Sequence, residues 1–424
     1  MKNSAHTLVG YAGSDQRTEI AAIPRIVVQA FCDSPDVMDV IRLAAQDRLM
    51  ARARVTAHSG GAATAVQVLQ GEPTPSLIVM ESRDPAEAIL SQLDRLAEIC
   101  DAGTKVLMIG HTNDIAFYRE LMRRGVSEYI VAPVDPLSVI GAISDIYSDE
   151  ASDRLGQVYA FIGAKGGVGS STVAHNVGWM IGHRFGQEVI LADMDLPFGT
   201  GSLDFNLDPA QGIAEVIQDI NRLDDVLLDR LLSKYDEHLS LLAAPVTLEK
   251  SYDLDGDIFG PLLEVAQASV PFTILDIPHL WTSWVQNALA LADQVVITAE
   301  PDLANLRNAK NMVGFLKQTR PNDPPPKIVL NQVGLPKRPE IKPRDFATAI
   351  GIEPIACIPF EANLFGTAAN NGQMVPQVSA KSGVADVFAA AAQLITGRKD
   401  PKQHKGVRGL SQFVGKWSGT ARKR

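Results

Sequence analysis

The chain has 424 residues, of which 46% are hydrophobic and 21% charged, with a formal net charge of −10. Such a composition supports a packed core and excludes wholesale disorder, while the acidic balance argues against a protein that coats nucleic acid along its whole surface. The charge is unevenly placed: residues 398–424 carry +8 and the remainder −18, so an acidic body bears a basic tail.

In chain order, residues 1–24 are polar and acidic where a signal peptide needs an apolar core, and they are expected to be a flexible N-terminus. A short buried strand is predicted at 25–30, followed by helical patterns and apolar strands at 76–80, 105–109 and 128–131. Strands alternating with helices imply βαβ units and a parallel sheet over residues 25–147. A polar stretch at 148–156 reads as a linker. A second strand series follows at 157–162, 188–192, 239–243, 271–275, 294–298, 327–330 and 355–358, which predicts a larger doubly wound α/β domain over 157–397. No run of 18 apolar residues occurs, so no membrane-spanning helix is expected, and three distant cysteines without a C-x-x-C pair suit a reducing cytosol.

The most informative segment is GAKGGVGSST, from Gly163 to Thr172. It follows a strand and opens a helix whose Val173, Val177, Met180 and Ile181 share one face. Glycines let backbone N–H groups turn in around phosphate oxygens, and the helix N-terminus adds positive potential. The loop residues Gly163, Lys165, Gly166, Gly167, Val168, Gly169, Ser170, Ser171 and Thr172 are therefore the candidate nucleotide contacts.

This loop resembles the deviant Walker A motif of the MinD/ParA family. The resemblance implies ATP and Mg²⁺ as ligands and a homodimer in which Lys165, at the signature-lysine position, reaches the partner's nucleotide. The usual loop lysine is replaced by Ser170, which cannot supply the cation facing the β/γ-phosphates, so hydrolysis is expected to be slow or absent. Ser171 stands where the family's hydroxyl ligates Mg²⁺. The segment ending in Asp193 and Asp195 resembles the D-x-D switch: Asp195 would position the attacking water and Asp193 support the Mg²⁺ shell. Asp276, after the apolar run 272–275, resembles a Walker B aspartate that holds Mg²⁺ through water. Asn331 resembles the strand-end asparagine that pairs with adenine, Pro359 and Phe360 fall in the base-flanking loop, and 370–373 resembles the late A-x-N-x-G segment. The nitrogenase iron protein shares the lysine-bearing loop but needs two cysteines in this domain to bridge its cluster; Cys357 alone is present.

Residues 25–147 resemble a response-regulator receiver in which the chemistry is missing. The acidic pair falls on Gln29 and Ala30, the phosphoacceptor on Glu81, the switch hydroxyl on Gly110 and the lysine on Ala132. This reads as a pseudo-receiver for docking or dimerisation, against a generic flavodoxin-like domain, with Asp33 and Glu81 as a conceivable cation pair. A receiver-like domain joined to a MinD/ParA domain without its loop lysine resembles the TadZ/CpaE family, which serves assembly and polar positioning of Flp (tight-adherence) pili. The resemblance implies pilus or secretion-machinery proteins as partners, at the cell pole or the inner face of the membrane. In the basic tail 398–424, Leu410, Phe413, Val414 and Trp417 recur at helical spacing, which suits either a peripheral membrane contact or a solvated, partner-binding segment. The rival functions are an active MinD/ParA-like ATPase and a ParA-like DNA-partition protein; no specific nucleic acid is expected.

Overall fold

The structure is a computed structural model that describes residues 20, 23–70, 74–101, 103–148, 156–245, 248, 252 and 254–398. Residues 149–155 of the predicted linker, all but a few residues of the flexible N-terminus, and the tail beyond Arg398 with its apolar patch lie outside the described residues. The chain divides into two compact units, residues 1–152 and 153–424.

Unit 1 is a five-stranded parallel sheet of β1 (Val27–Cys32), β2 (Arg54–Ser59), β3 (Leu77–Glu81), β4 (Lys105–Gly110) and β5 (Glu128–Val131), in the order β2-β1-β3-β4-β5. This is the flavodoxin-like doubly wound order. Alternate residues of the central strands enter opposite cores: Leu77 and Val79 pack with Val28 and Ala30, whereas Ile78 and Met80 pack with Phe31 and Met108. A strand buried on both faces must be apolar throughout, which is why these strands read as continuous apolar runs.

Two expectations for this unit change. The first strand begins two residues later than predicted and ends at Cys32, so Gln29 and Ala30 lie inside it; the residues at its carboxyl end are Asp33 and Ser34. Of the conceivable cation pair Asp33 and Glu81, the second is already engaged by the protein. Glu81 is fully buried, and its oxygens accept hydrogen bonds from Ser34 N (2.8 Å), Ser34 Oγ (2.7 Å) and His111 Nε2 (3.0 Å). Its charge is thus met by protein donors. At Gly110 a Cβ would come 2.2 Å from Tyr129 Oη, which donates to Thr112 O at 2.6 Å, so the phenol fills the space a switch hydroxyl would need.

Unit 2 carries an eight-stranded sheet of β6 (Gln157–Gly163), β7 (Val189–Asp193), β8 (Ser233–Lys234), β9 (Leu239–Leu242), β10 (Phe272–Ile277), β11 (Gln294–Ala299), β12 (Lys327–Val333) and β13 (Ala356–Pro359). The order is β13-β12-β11-β6-β10-β7-β9-β8, parallel except at the β8–β9 edge. On β6, Val158, Ala160 and Ile162 face one core, and Tyr159 and Phe161 the other. β6 is central, and the chain winds outward from it on both sides through β7 and β11. That places a topological switch point at its carboxyl end, where sheets of this kind hold ligands.

Candidate functional site

The site begins where β6 ends. Gly163 leaves the strand, the loop turns through Gly167 and Gly169, both at φ 81°, and the helix Ser170–Phe185 starts immediately. The positive φ explains the glycines: a side-chain-bearing residue would be strained there. The helix N-terminus and the loop's N–H groups therefore converge at the carboxyl end of the sheet, an arrangement suited to a phosphate. Lys165 is exposed on the loop, whereas Ser170 Oγ is buried without a hydrogen-bond partner. Ser171 and Thr172 are half-buried on the first helical turn.

The loop is held from outside by contacts that sequence alone does not reveal. Asn308 Nδ2 donates to Ala164 O at 2.9 Å, and His279 Nδ1 lies 2.9 Å from Gly163 O. Gln332 Nε2 donates to Gly167 O at 3.3 Å. Asn331, expected to read adenine, is buried and turns its amide donor to Val168 O at 2.8 Å; a Cβ at Gly169 would lie 2.5 Å from that Nδ2. Its contacts make it a brace for the loop. Pro359 and Phe360 lie half-buried at the carboxyl end of β13, three strands from β6 on the same edge of the sheet.

The acids lie beside the loop. Asp193, the last residue of β7, and Asp276, the penultimate residue of β10, are paired in direct register on adjacent strands, and both are buried. Burial and the charge of Asp276 push Asp193 up to about 7. Two facing carboxylates in low dielectric repel each other, and a divalent cation would relieve that repulsion. Asp195, half-buried, is raised by burial and then by Asp276, and it caps the following turn by accepting from Phe198 N at 3.2 Å. Among the described residues no group of three His, Cys, Asp or Glu could hold a metal alone. A hydroxyl, carboxylates, waters and phosphate oxygens are the donor set that Mg²⁺ prefers. Ser171, Asp276 and Asp193 fit that description.

Beneath them lies a group that the motifs did not signal. His175, on the loop's helix, is fully buried with Nδ1 2.8 Å from Asp204 Oδ2 and Nε2 3.2 Å from Asp276 Oδ2. Burial opposes its charge, but the carboxylates of Asp204 and Asp276 outweigh it and push His175 up to about 10. The only sequence signal was two polar residues, His175 and Asn176, amid the helix's apolar stretch. Asn176 in turn accepts from Val375 N at 2.8 Å and donates to Thr172 O at 2.8 Å, fastening the segment after 370–373 to the helix.

The chain is similar to several known proteins. The AAA domain family matches residues 156–324. A ParA family ATPase from Chlorobium tepidum TLS is 25% identical with a TM-score of 0.51, covering 56% of this chain and 98% of that one. The septum site-determining protein MinD of Synechocystis sp. is 27% identical over 164 residues, 38% of this chain; the match spans only 60% of that relative's length. The pilus assembly protein CpaE from Caulobacter crescentus CB15 is 51% identical over 30% of this chain and 97% of that chain, with a TM-score of 0.29.

Proposed function

The chain belongs to the family of CpaE pilus assembly proteins, within the MinD/ParA-like P-loop superfamily, and from that premise we propose an ATP-binding, dimerising scaffold that positions or assembles pilus secretion machinery. The observation that carries this reading is the loop Gly163–Thr172, built for phosphate yet bearing Ser170 in place of its lysine, beside the facing Asp193 and Asp276. Backbone N–H groups and Ser171 would bind ATP–Mg²⁺, with Asp276 and Asp193 supporting the metal. Bound Mg²⁺ would neutralise phosphate charge. Without the loop cation, hydrolysis would be weak or absent. Exposed Lys165 would complete the partner protomer's site, making dimerisation depend on nucleotide. Unit 1, with Glu81 already satisfied and Gly110 closed by Tyr129, would act as a receiver-like docking module without phosphotransfer. The polar or membrane-face location belongs to the same proposal; among the described residues, no helix is long and apolar enough to cross a membrane.

Size-exclusion chromatography with light scattering tests the switch. ATP–Mg²⁺ should convert wild type from monomer to dimer and leave Lys165→Ala monomeric. ATP binding without any change of mass would overturn it. The second reading, an active ATPase, needs another group to do the missing lysine's work, and His279, whose Nδ1 lies 2.9 Å from Gly163 O, is the side chain placed against the loop. Turnover abolished by Asp195→Ala would support that reading.

A further inference from the structure

We propose that His175 is a positioning residue that couples the metal-and-nucleotide site to the segment 198–206; the inference rests on the nucleotide-binding reading above. The short helix Gly201–Asp204 is tied to that site at both ends. Its first N–H, from Gly201, donates to Asp193 Oδ2 at 2.8 Å. Its last residue, Asp204, holds His175 Nδ1 at 2.8 Å, and the other side of that imidazole faces Asp276 Oδ2 at 3.2 Å. So the two anchors end on Asp193 and Asp276, the two carboxylates that would support Mg²⁺.

The imidazole's two sides are not equivalent. Nδ1 makes a short bond to Asp204, whereas Nε2 faces Asp276 outside hydrogen-bonding geometry and has no other partner. The Nε2 contact is an ion pair without a well-formed hydrogen bond, so its geometry can change when Asp276 moves. A cation drawing on Asp276 alters the anchor through His175, and one drawing on Asp193 alters the anchor at Gly201. The segment so held is packed on one side only. Phe198 is 72% and Leu203 68% exposed, whereas Gly372 abuts Leu203 O and Asn206. Occupancy of the site would thus set how firmly these two apolar side chains are presented.

The test is hydrogen–deuterium exchange of peptides spanning 198–206 in the full chain, with and without ATP–Mg²⁺, alongside titration with a fluorescent ATP analogue. Wild type should show exchange slowed about tenfold on adding ATP–Mg²⁺. Asp204→Asn, at a residue that supplies no ligand to metal or phosphate in this reading, should keep wild-type analogue affinity and lose most of that slowing. His175→Gln should lose it too, and circular dichroism checks its fold. Persistence of the full response in Asp204→Asn overturns the inference and leaves nucleotide binding intact. Absence of analogue binding by wild type overturns the functional reading and the coupling with it.

Discussion

At Ser170 the family's lysine is replaced by a hydroxyl that is buried without a partner. A cation aimed at the β/γ-phosphates stabilises charge that develops in the transition state, and losing one such group costs about 10²–10³ in rate. Ser170→Lys should therefore raise ATP turnover at least about tenfold over a slow wild type, read as phosphate release. Unchanged turnover would mean that something other than the missing lysine limits the rate. The loop, Asp193, Asp195 and Asp276 were legible because each sits in a contiguous motif. His175–Asp204 and Asn308–Ala164 were not, because they join residues 29 and 144 positions apart and exist only once the sheet is formed. Glu81 makes the same point in unit 1. Burial raises its pKa, but donors Ser34 and His111 more than offset this and hold it below the ordinary 4.5. A group depressed in the folded state contributes stability that is full above its unfolded pKa and fades as pH falls through the folded one. Unit 1 should thus lose stability progressively below pH about 4.5. Glu81→Gln, which leaves those donors facing a neutral amide, should cost about 1–3 kcal/mol at neutral pH; equal acid sensitivity of variant and wild type in urea titrations would contradict this.

At the scale of elements, legibility followed burial. The central strands of both sheets were found within one to three residues at most ends because two-sided burial makes them apolar runs. β2 was missed: it is an edge strand reading Arg-Val-Thr-Ala-His-Ser, partly exposed at every position, and no apolar run marks it. β8, two residues long at an edge of the eight-stranded sheet, left no signal at all. The first strand's register slipped because Arg25 and Ile26 prolong its pattern upstream, and that slip misplaced the expected acidic pair. The helix Gly383–Thr396 illustrates a different dependence. It packs on the helix that carries the phosphate loop, and its Phe388 is wholly buried beside Phe161, Val173 and Val177. Removing that ring leaves a cavity behind the loop's helix, so Phe388→Ala should destabilise unit 2 by about 3–5 kcal/mol. Thermal unfolding monitored by circular dichroism would register it; a loss below about 1 kcal/mol would mean that the helix is not part of this core.

For the molecule as a whole, the charge split discriminates among functions that the fold alone leaves open, since one fold hosts many. DNA binding draws affinity from phosphates neutralised by Lys and Arg, with counterions released and a steep dependence on salt. The body's −18 opposes a polyanion, and the only concentrated cation lies in residues 398–424, at +8. A DNA-partition protein would need a basic face on the folded body, where its dimer could track a duplex. The expected outcome is weak binding: a Kd no tighter than about 10⁻⁶ M for duplex DNA at physiological salt, with log K falling as log salt rises. Fluorescence anisotropy with a labelled duplex measures both quantities. Deleting 398–424 should remove whatever binding remains, because the acidic body has nothing else to offer. Nanomolar affinity that survived the deletion would place a DNA surface on the body itself and displace the scaffold reading, whereas affinity lost with the tail would leave the nucleotide switch as the body's own business.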